Sequence, residues 1–445
     1  MRVATARPGP NLGGFALLIS GAALVALSLA LLLTTGGGSS TPAAGPSVAD
    51  PLTSTNASVS FWETRLHNDP ADFTAANRLA SAYIQRGRET GDISDYTRAQ
   101  SAVDASLKSL PGQNYTGYAL KAYLENVRHD FATSLTSAQF AATQNTIDEY
   151  APSVIGDDYI ALGRYDDAFR TYSSLVQQFP DLSTFSRMAQ IYEIRGDLPN
   201  AEGAWKNALS LDLGTNPETT AWAHTNYGTF LFNQNRLSDA SAQYAEALVA
   251  YPGYIHALAG QANVAAATSN YDDSIALYEQ VTTRQPLPQY VAALGDVYSV
   301  AGQADQATRQ YALIAAIEQL YQANGVNVDM QEALFLADHD QNPADAVRQA
   351  QAVRLVQPDS IYTADALAWS LYKAGRATEA LPYAQAALAQ GTRDASLFYH
   401  AGLIEKALGN TDAARLDLQT AVTINPHFSP LQAPIAQQAL TELGG

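Results

Sequence analysis

Residues 156–180 read GDDYIALGRYDDAFRTYSSLVQQFP, and their spacing decides the architecture of the whole chain. Gly156 is followed three residues on by Tyr159; after the turn pair Gly163-Arg164 come Ala168, Tyr172 and Leu175, and then Pro180. Steps of three and four place side chains on one face of a helix. Glycine between the two phrases can take the left-handed conformation that closes the first helix, and proline stops the second. The stretch therefore predicts a helix, a tight turn and a helix. Its small residues let neighbouring helices approach closely, and a bulky side chain fills the space they leave.

The second phrase returns at Ala240, Tyr244, Ala247 and Pro252, at Ser274, Tyr278, Val281 and Pro286, and at Ala414, Leu418, Ala421 and Pro426, with weaker copies between them. Its first members fall at 99, 134, 168, 201, 240, 274, 307, 346, 380 and 414, ten units with a period near 34 residues. The first phrase also recurs, as Ala80/Tyr83, Ala189/Tyr192, Gly228/Leu231 and Gly295/Tyr298. On these residues the chain resembles the tetratricopeptide repeat (TPR) family, whose W-x2-L-G-x2-Y, A-x3-F and P pattern matches most units between 72 and 426. The resemblance implies an all-α fold, a right-handed α-solenoid of about ten helix-turn-helix repeats that serves as a scaffold for many uses. Unit two departs from the pattern with Glu125 at an aromatic position, and unit eight, with Pro343, Ala346 and Ala350, lacks a large side chain. In its C-terminal half, at Val326-Asn327-Val328-Asp329 and Phe428-Ser429-Pro430-Leu431-Gln432, the chain also looks like a group of exported, membrane-anchored bacterial TPR proteins.

Three places break the period: extra residues around Arg88 to Asp95, near Leu213 to Glu218, and near Gln322 to Asn327. Insertions in a repeat array are expected as loops on one face. Residues 58–71, with Phe61, Trp62 and Leu66, and residues 427–445, with Leu431, Ile435, Ala439 and Leu440, are expected to be helices that cap the two ends of the array.

Ahead of the repeats, Phe15 to Leu33 are nineteen residues without a charge, eight of them Leu. At ~1.5 Å per residue such a helix spans the ~30 Å hydrocarbon layer. Arg2 and Arg7 precede it and no Lys or Arg follows until Arg65, which keeps the tail 1–14 cytoplasmic and sends the rest outside. A cleaved signal peptide, and hence secretion, is the alternative, but its apolar core is usually ~7–15 residues and this one is longer. The sequence thus predicts a single-pass transmembrane anchor over 15–33, a Gly/Ser/Thr/Pro/Ala linker over 34–57, and repeats in the periplasm or outside the cell.

The 445 residues carry 25 basic and 43 acidic side chains, a net charge of −18, and no cysteine. This closes disulfide, thiolate-metal and cysteine-nucleophile chemistry, and leaves no basic face for nucleic acid. The seven histidines are dispersed and lack metal-ligand spacing; Asp338-His339-Asp340 reads as a solvated polar turn. No phosphate loop or dinucleotide fingerprint occurs. Catalytic residues, cofactor and metal are accordingly expected to be none, and a protein or peptide partner is expected on the concave face lined by the first helices. The candidate groove residues are Phe335, Tyr362, Asp365, Trp369, Tyr372, Tyr399 and His400 in units eight to ten, with Trp222, Asn226 and Phe232 in unit five. Aromatics with a few polar neighbours suit a binding surface, although aromatics at helical spacing are also the ordinary filling between repeats. A lysine-asparagine clamp for a peptide carboxylate, known in some TPR proteins, has no lysine here: the matching positions hold Asn77, Ser81, Ala119, Tyr123, Ser153 and Asp157. An assembly or maturation factor for an envelope complex, of cytochrome or pilus type, is the alternative function.

Overall fold

The structure is a computed structural model that describes residues 51–326 and 330–444. Within them the chain forms twenty-two helices. After α1 (Pro51–Asn68) come ten antiparallel pairs: α2 and α3 (Phe73–Thr90, Ile93–Ser109), α4 and α5 (Tyr115–Val127, Phe131–Gln144), α6 and α7 (Tyr150–Ala161, Tyr165–Gln178), α8 and α9 (Leu182–Ile194, Leu198–Ser210), α10 and α11 (Pro217–Asn233, Leu237–Ala250), α12 and α13 (Ile255–Ala267, Tyr271–Arg284), α14 and α15 (Pro288–Val300, Ala304–Ala323), α16 and α17 (Met330–Asp338, Pro343–Val356), α18 and α19 (Ile361–Lys373, Ala377–Ala387), and α20 and α21 (Ala395–Ala407, Thr411–Ile424). A final helix, α22 (Gln432–Glu442), packs against α20 and α21.

Period and packing coincide. The ten residues that set the register, Ala99, Ser134, Ala168, Ala201, Ala240, Ser274, Ala307, Ala346, Ala380 and Ala414, all lie on second helices, and none exposes more than 4% of its surface. Four residues further on stands the bulky member, such as Tyr172, Tyr244 or Tyr278, also buried. Gly156 of α6 shows why a small residue faces it: a Cβ there would lie inside the ring of Tyr172. Every turn within a pair holds a left-handed residue, a glycine at 91, 163, 196, 302, 375 and 409 and His129, Asn235 or Ser269 in three others, while the turn between α16 and α17 holds two, Asp340 and Asn342. Proline ends the unit as expected: Pro180, Pro252, Pro286 and Pro426 each follow a residue of extended backbone, because proline denies the α region to the residue before it.

Three expectations about organisation need correction. Helix α1 begins at Pro51, inside the stretch read as linker, and buries Val59 with Trp62 and Leu66 beside it while Phe61 points to solvent. The buried face of α22 is Ala433, Ala436, Ala439 and Leu440; Ile435 is exposed. Finally, the first and third period breaks appear in part as lengthened helices and not only as loops. The first lengthens α2 to eighteen residues, closed by left-handed Gly91, and the third lengthens α15 to twenty. The extra residues of α2 carry helix-forming Gln85, Arg86 and Glu89 with no proline before Gly91, so the helix runs on. Among the described residues no helix is long and apolar enough to cross a membrane. The predicted span 15–33, the tail 1–14 and the linker up to residue 50 lie outside them.

The array coils tightly enough for successive turns to touch. Ile361 N donates to Tyr165 Oη at 3.0 Å, Thr392 Oγ1 to the carbonyl of Ile194, Asn425 Nδ2 to the carbonyl of Phe232 at 3.0 Å, and Gln285 Nε2 to the carbonyl of Glu89 at 3.1 Å. Each of these bonds joins residues 193 to 198 positions apart, about six repeats along the array. Gly163 sits so near the backbone of Asp359 and Ser360 that a side chain there would collide with it.

Candidate interaction surface

The predicted groove residues fall into two groups. Trp222, Phe232, Tyr362, Asp365, Trp369, Tyr399 and His400 are buried, while Phe335, Tyr372 and Asn226 are half-buried. Trp369 is 2% exposed, stacked on His400 with centroids 4.2 Å apart and on Tyr372 at 5.1 Å. Its Nε1 donates to Asp338 Oδ1 at 2.7 Å. It belongs to the contact between units, not to an open groove. Tyr399 packs against the same ring system, and Phe335 against Tyr311 and His339. Trp222 packs on Trp205 of the preceding unit, and Asn226 Nδ2 donates to the carbonyl of Trp222 on its own helix at 2.8 Å. Tyr362 joins Ile361 and Ala366 in a cluster with residues of units three to five, so it faces the earlier turn of the coil. The physical reason is common to all of them: the inward stripe of a first helix touches the next first helix, and tight coiling adds a second neighbour.

Ionisable groups on these stripes are committed to one another. Asp157 of α6 takes two bonds from Arg187 of α8, from Nε at 2.8 Å and Nη2 at 2.9 Å, and a third from Tyr172 Oη at 2.7 Å. Burial works against the Arg187 charge, but the facing carboxylate outweighs it and holds the guanidinium above its ordinary pKa. His400 Nδ1 lies 2.9 Å from Asp365, and His339 Nε2 lies 2.8 Å from Asp296. Burial opposes protonation at both histidines, yet the carboxylates beside them raise both above the usual value. Asp338, expected in a solvated turn, instead accepts from Trp369 and from Gln432 Nε2 at 2.6 Å, and burial pushes its carboxyl up. Only Asp340 of that triplet is exposed, beside Lys373. Among the described residues no group of three or more histidines and carboxylates is placed to hold a metal ion.

The three period breaks converge inside the coil, which sequence reasoning did not connect. Arg88, on the added turn of α2, pairs with Glu218 at the start of α10, 130 residues away, and both side chains are more than 90% buried. Burial disfavours the Arg88 charge, and Glu218 restores and raises it. Tyr321 and Val326, from the extension of α15, join Tyr96 and Tyr123 in one apolar cluster. The available signal was the insertions themselves: each adds residues that the unit does not need for its own packing.

A cleft lies open between the turns. It holds about 440 Å³, with the ends of α10 and α12 and the start of α13 on one side, and the start of α20, the 425–430 segment and α22 on the other. None of the candidate groove residues except Phe232 lines it.

Residues 366–427 match the tetratricopeptide repeat family. Among solved structures the chain is similar to MamA, at 22% identity over 38% of this chain and 97% of that one, with a TM-score of 0.31. It is similar to PilW, described as a type IV pilus biogenesis factor, at 18% identity over 46% and 93%, with a TM-score of 0.39. A tetratricopeptide repeat protein from Parabacteroides merdae aligns at 17% identity over 62% and 100%, with a TM-score of 0.34. No curated protein matches the chain.

Proposed function

We propose that the chain, whose residues 366–427 match the tetratricopeptide repeat family, is a non-catalytic scaffold that binds a protein or peptide partner, held at a membrane by residues 15–33 with its repeats on the outer side. The observation that supports the scaffold reading most is the commitment of ionisable side chains to the array. Asp157 with Arg187, Asp365 with His400 and Asp296 with His339 each join neighbouring units, and Arg88 with Glu218 joins distant ones. Groups that serve as acids and bases in catalysis serve here to hold repeats in register. The membrane reading is supported by the nineteen uncharged residues of 15–33, by Arg2 and Arg7 before them, and by the lack of any Lys or Arg after them until Arg65.

In-cell crosslinking of the full chain, followed by identification of the adducts, tests the scaffold. A dominant protein adduct is expected; a chain that crosslinks only to itself sinks the reading. Alkaline extraction and protease accessibility of intact cells or spheroplasts test the anchor. The chain should stay in the membrane fraction, with its repeats cleavable from outside, and removal of residues 15–33 should release it.

A further inference from the structure

The cleft between the turns is chemically unlike the rest of the coil interior. Its walls carry the amides of Asn233, Asn263 and Gln437, the aromatic rings of Tyr271 and Phe428, the imidazoles of His256 and His427, and one carboxylate, Asp394. No Lys or Arg lines it. Asn263 Oδ1 accepts from Tyr278 Oη at 2.6 Å, an arrangement that turns its Nδ2 donor to other partners. Gln437 is exposed on α22. A volume of about 440 Å³ lies within the ~300–1,000 Å³ of clefts that enclose a ligand.

We propose that this cleft, and not the concave hollow, holds the partner, as an extended peptide segment without acidic side chains. The inference rests on the scaffold reading and gives that reading a place and a chemistry. Side-chain amides offer a donor and an acceptor together, which is what a peptide backbone in extended conformation presents in return. Tyr271 and Phe428 offer faces for apolar or proline side chains. Acidic side chains are disfavoured on charge: Asp394 is the carboxylate of the cleft, no Lys or Arg lines its walls, burial holds His256 below its ordinary pKa, and the chain as a whole carries −18. Inside the coil, by contrast, Arg88 and Glu218 are buried and paired with each other, and Tyr96 and Tyr123 belong to one buried apolar cluster. The cleft walls belong to units five, six and ten and to α22, so only the coiled molecule presents them together.

The test is an array of immobilised dodecapeptides of varied sequence, probed with the detergent-solubilised full chain and with two variants. Gln437→Trp introduces bulk from an exposed position on α22, where folding is not at stake, and Asn263→Asp replaces the amide with a charge of the same shape. Peptides bound by the parent chain should be poor in Asp and Glu and should lose at least tenfold in apparent affinity to Gln437→Trp. To Asn263→Asp the neutral ones should lose a similar factor, while Lys- or Arg-bearing ones lose less. Equal binding by all three proteins overturns the cleft and leaves the scaffold standing. A silent array overturns the cleft, and only a silent array together with crosslinking that finds no partner overturns both. Maltotriose binding that is lost in Gln437→Trp, with no peptide bound, assigns the cleft to a neutral glycan and overturns the peptide.

Discussion

Contacts within the stack and contacts between turns are made from different materials. Inside the stack each unit buries an alanine or serine of its second helix, as at Ala168, Ala240 and Ala414, beneath a bulky neighbour, and this apolar joint is repeated along the chain. Between turns, apolar contacts such as that of Tyr362 are supplemented by polar bonds made once at each place: Tyr165 to Ile361, Ile194 to Thr392, Phe232 to Asn425, and the buried pair Arg88 and Glu218. An apolar periodic joint can absorb a change by sharing it with identical neighbours. A single buried ion pair cannot, because losing one partner strands the other charge. The stack should therefore set the stability of the helices, and the seam should set how tightly they coil.

The largest effect is expected inside the stack. Trp369→Ala removes a ring that stacks on His400 and Tyr372 and leaves Asp338 without one of its donors. A loss of about 3–5 kcal/mol is expected, read as a fall in the denaturation midpoint by circular dichroism. A variant that melts like the parent would return Trp369 to an accessible groove and erase the distinction between stack and surface in units eight to ten.

The seam responds differently. Arg88→Ala leaves Glu218 buried without its cation, with only the long bond from Tyr254 Oη to hold it, at a cost of about 3 kcal/mol. That loss should appear as an increased radius of gyration by small-angle X-ray scattering, with helical content near that of the parent. The double variant Arg88→Met, Glu218→Leu removes both charges and should restore compactness. If Arg88→Ala keeps the parent's dimensions, the ion pair does not set the pitch of the coil.

This division explains what was legible in the sequence. Ten anchors at a period near 34 mark ten second helices, because a small residue under a neighbouring ring is a local demand that every unit repeats. The left-handed turn was legible wherever glycine fills it, and hidden at His129, Asn235, Ser269 and Asp340, where another residue accepts the strain. The groove was misjudged at Trp369, Tyr399 and Trp222 because spacing names the face of a helix but not how many neighbours that face meets. Arg88 and Glu218 were out of reach for a related reason: each looks like an ordinary polar residue in an insertion, and only the pitch of the coil brings them together.

A third prediction probes charge burial in the stack. Burial, with Asp181 beside it, pushes Glu149 up to about 8, and burial does the same to Glu193 in spite of the bond from Trp205 Nε1. Both carboxyls then hold protons in the folded chain that the unfolded chain releases near its ordinary value of 4.5. A raised pKa contributes stability that is complete below about 4.5 and lost as pH climbs toward 8. Raised His339 and His400 act in the same sense, and His256, lowered to about 4 by burial, acts in the opposite sense below pH 6.5. The melting temperature should therefore fall between pH 6.5 and 8, and Glu149→Gln, which cannot ionise, should flatten that slope. An unchanged slope in the variant would remove Glu149 from the cause.

The smallest effect concerns the turns, which belong to the stack but carry their strain singly. Ser269 adopts φ of 61°, where Gly302 of the next unit adopts 76° with open space around the position of its missing Cβ. For a residue with a Cβ the left-handed region costs about 1 kcal/mol, whereas glycine enters it freely. Ser269→Gly should stabilise by somewhat less than 1 kcal/mol, since glycine also gains freedom in the unfolded chain. Gly302→Ala should destabilise by about 1 kcal/mol, because the strain appears with no contact to offset it. Opposite shifts of the denaturation midpoint, with an unchanged radius of gyration, would separate this local strain from the seam. A change in dimensions with either substitution would mean that the turn angle between paired helices, and not the polar seam, governs the pitch of the coil.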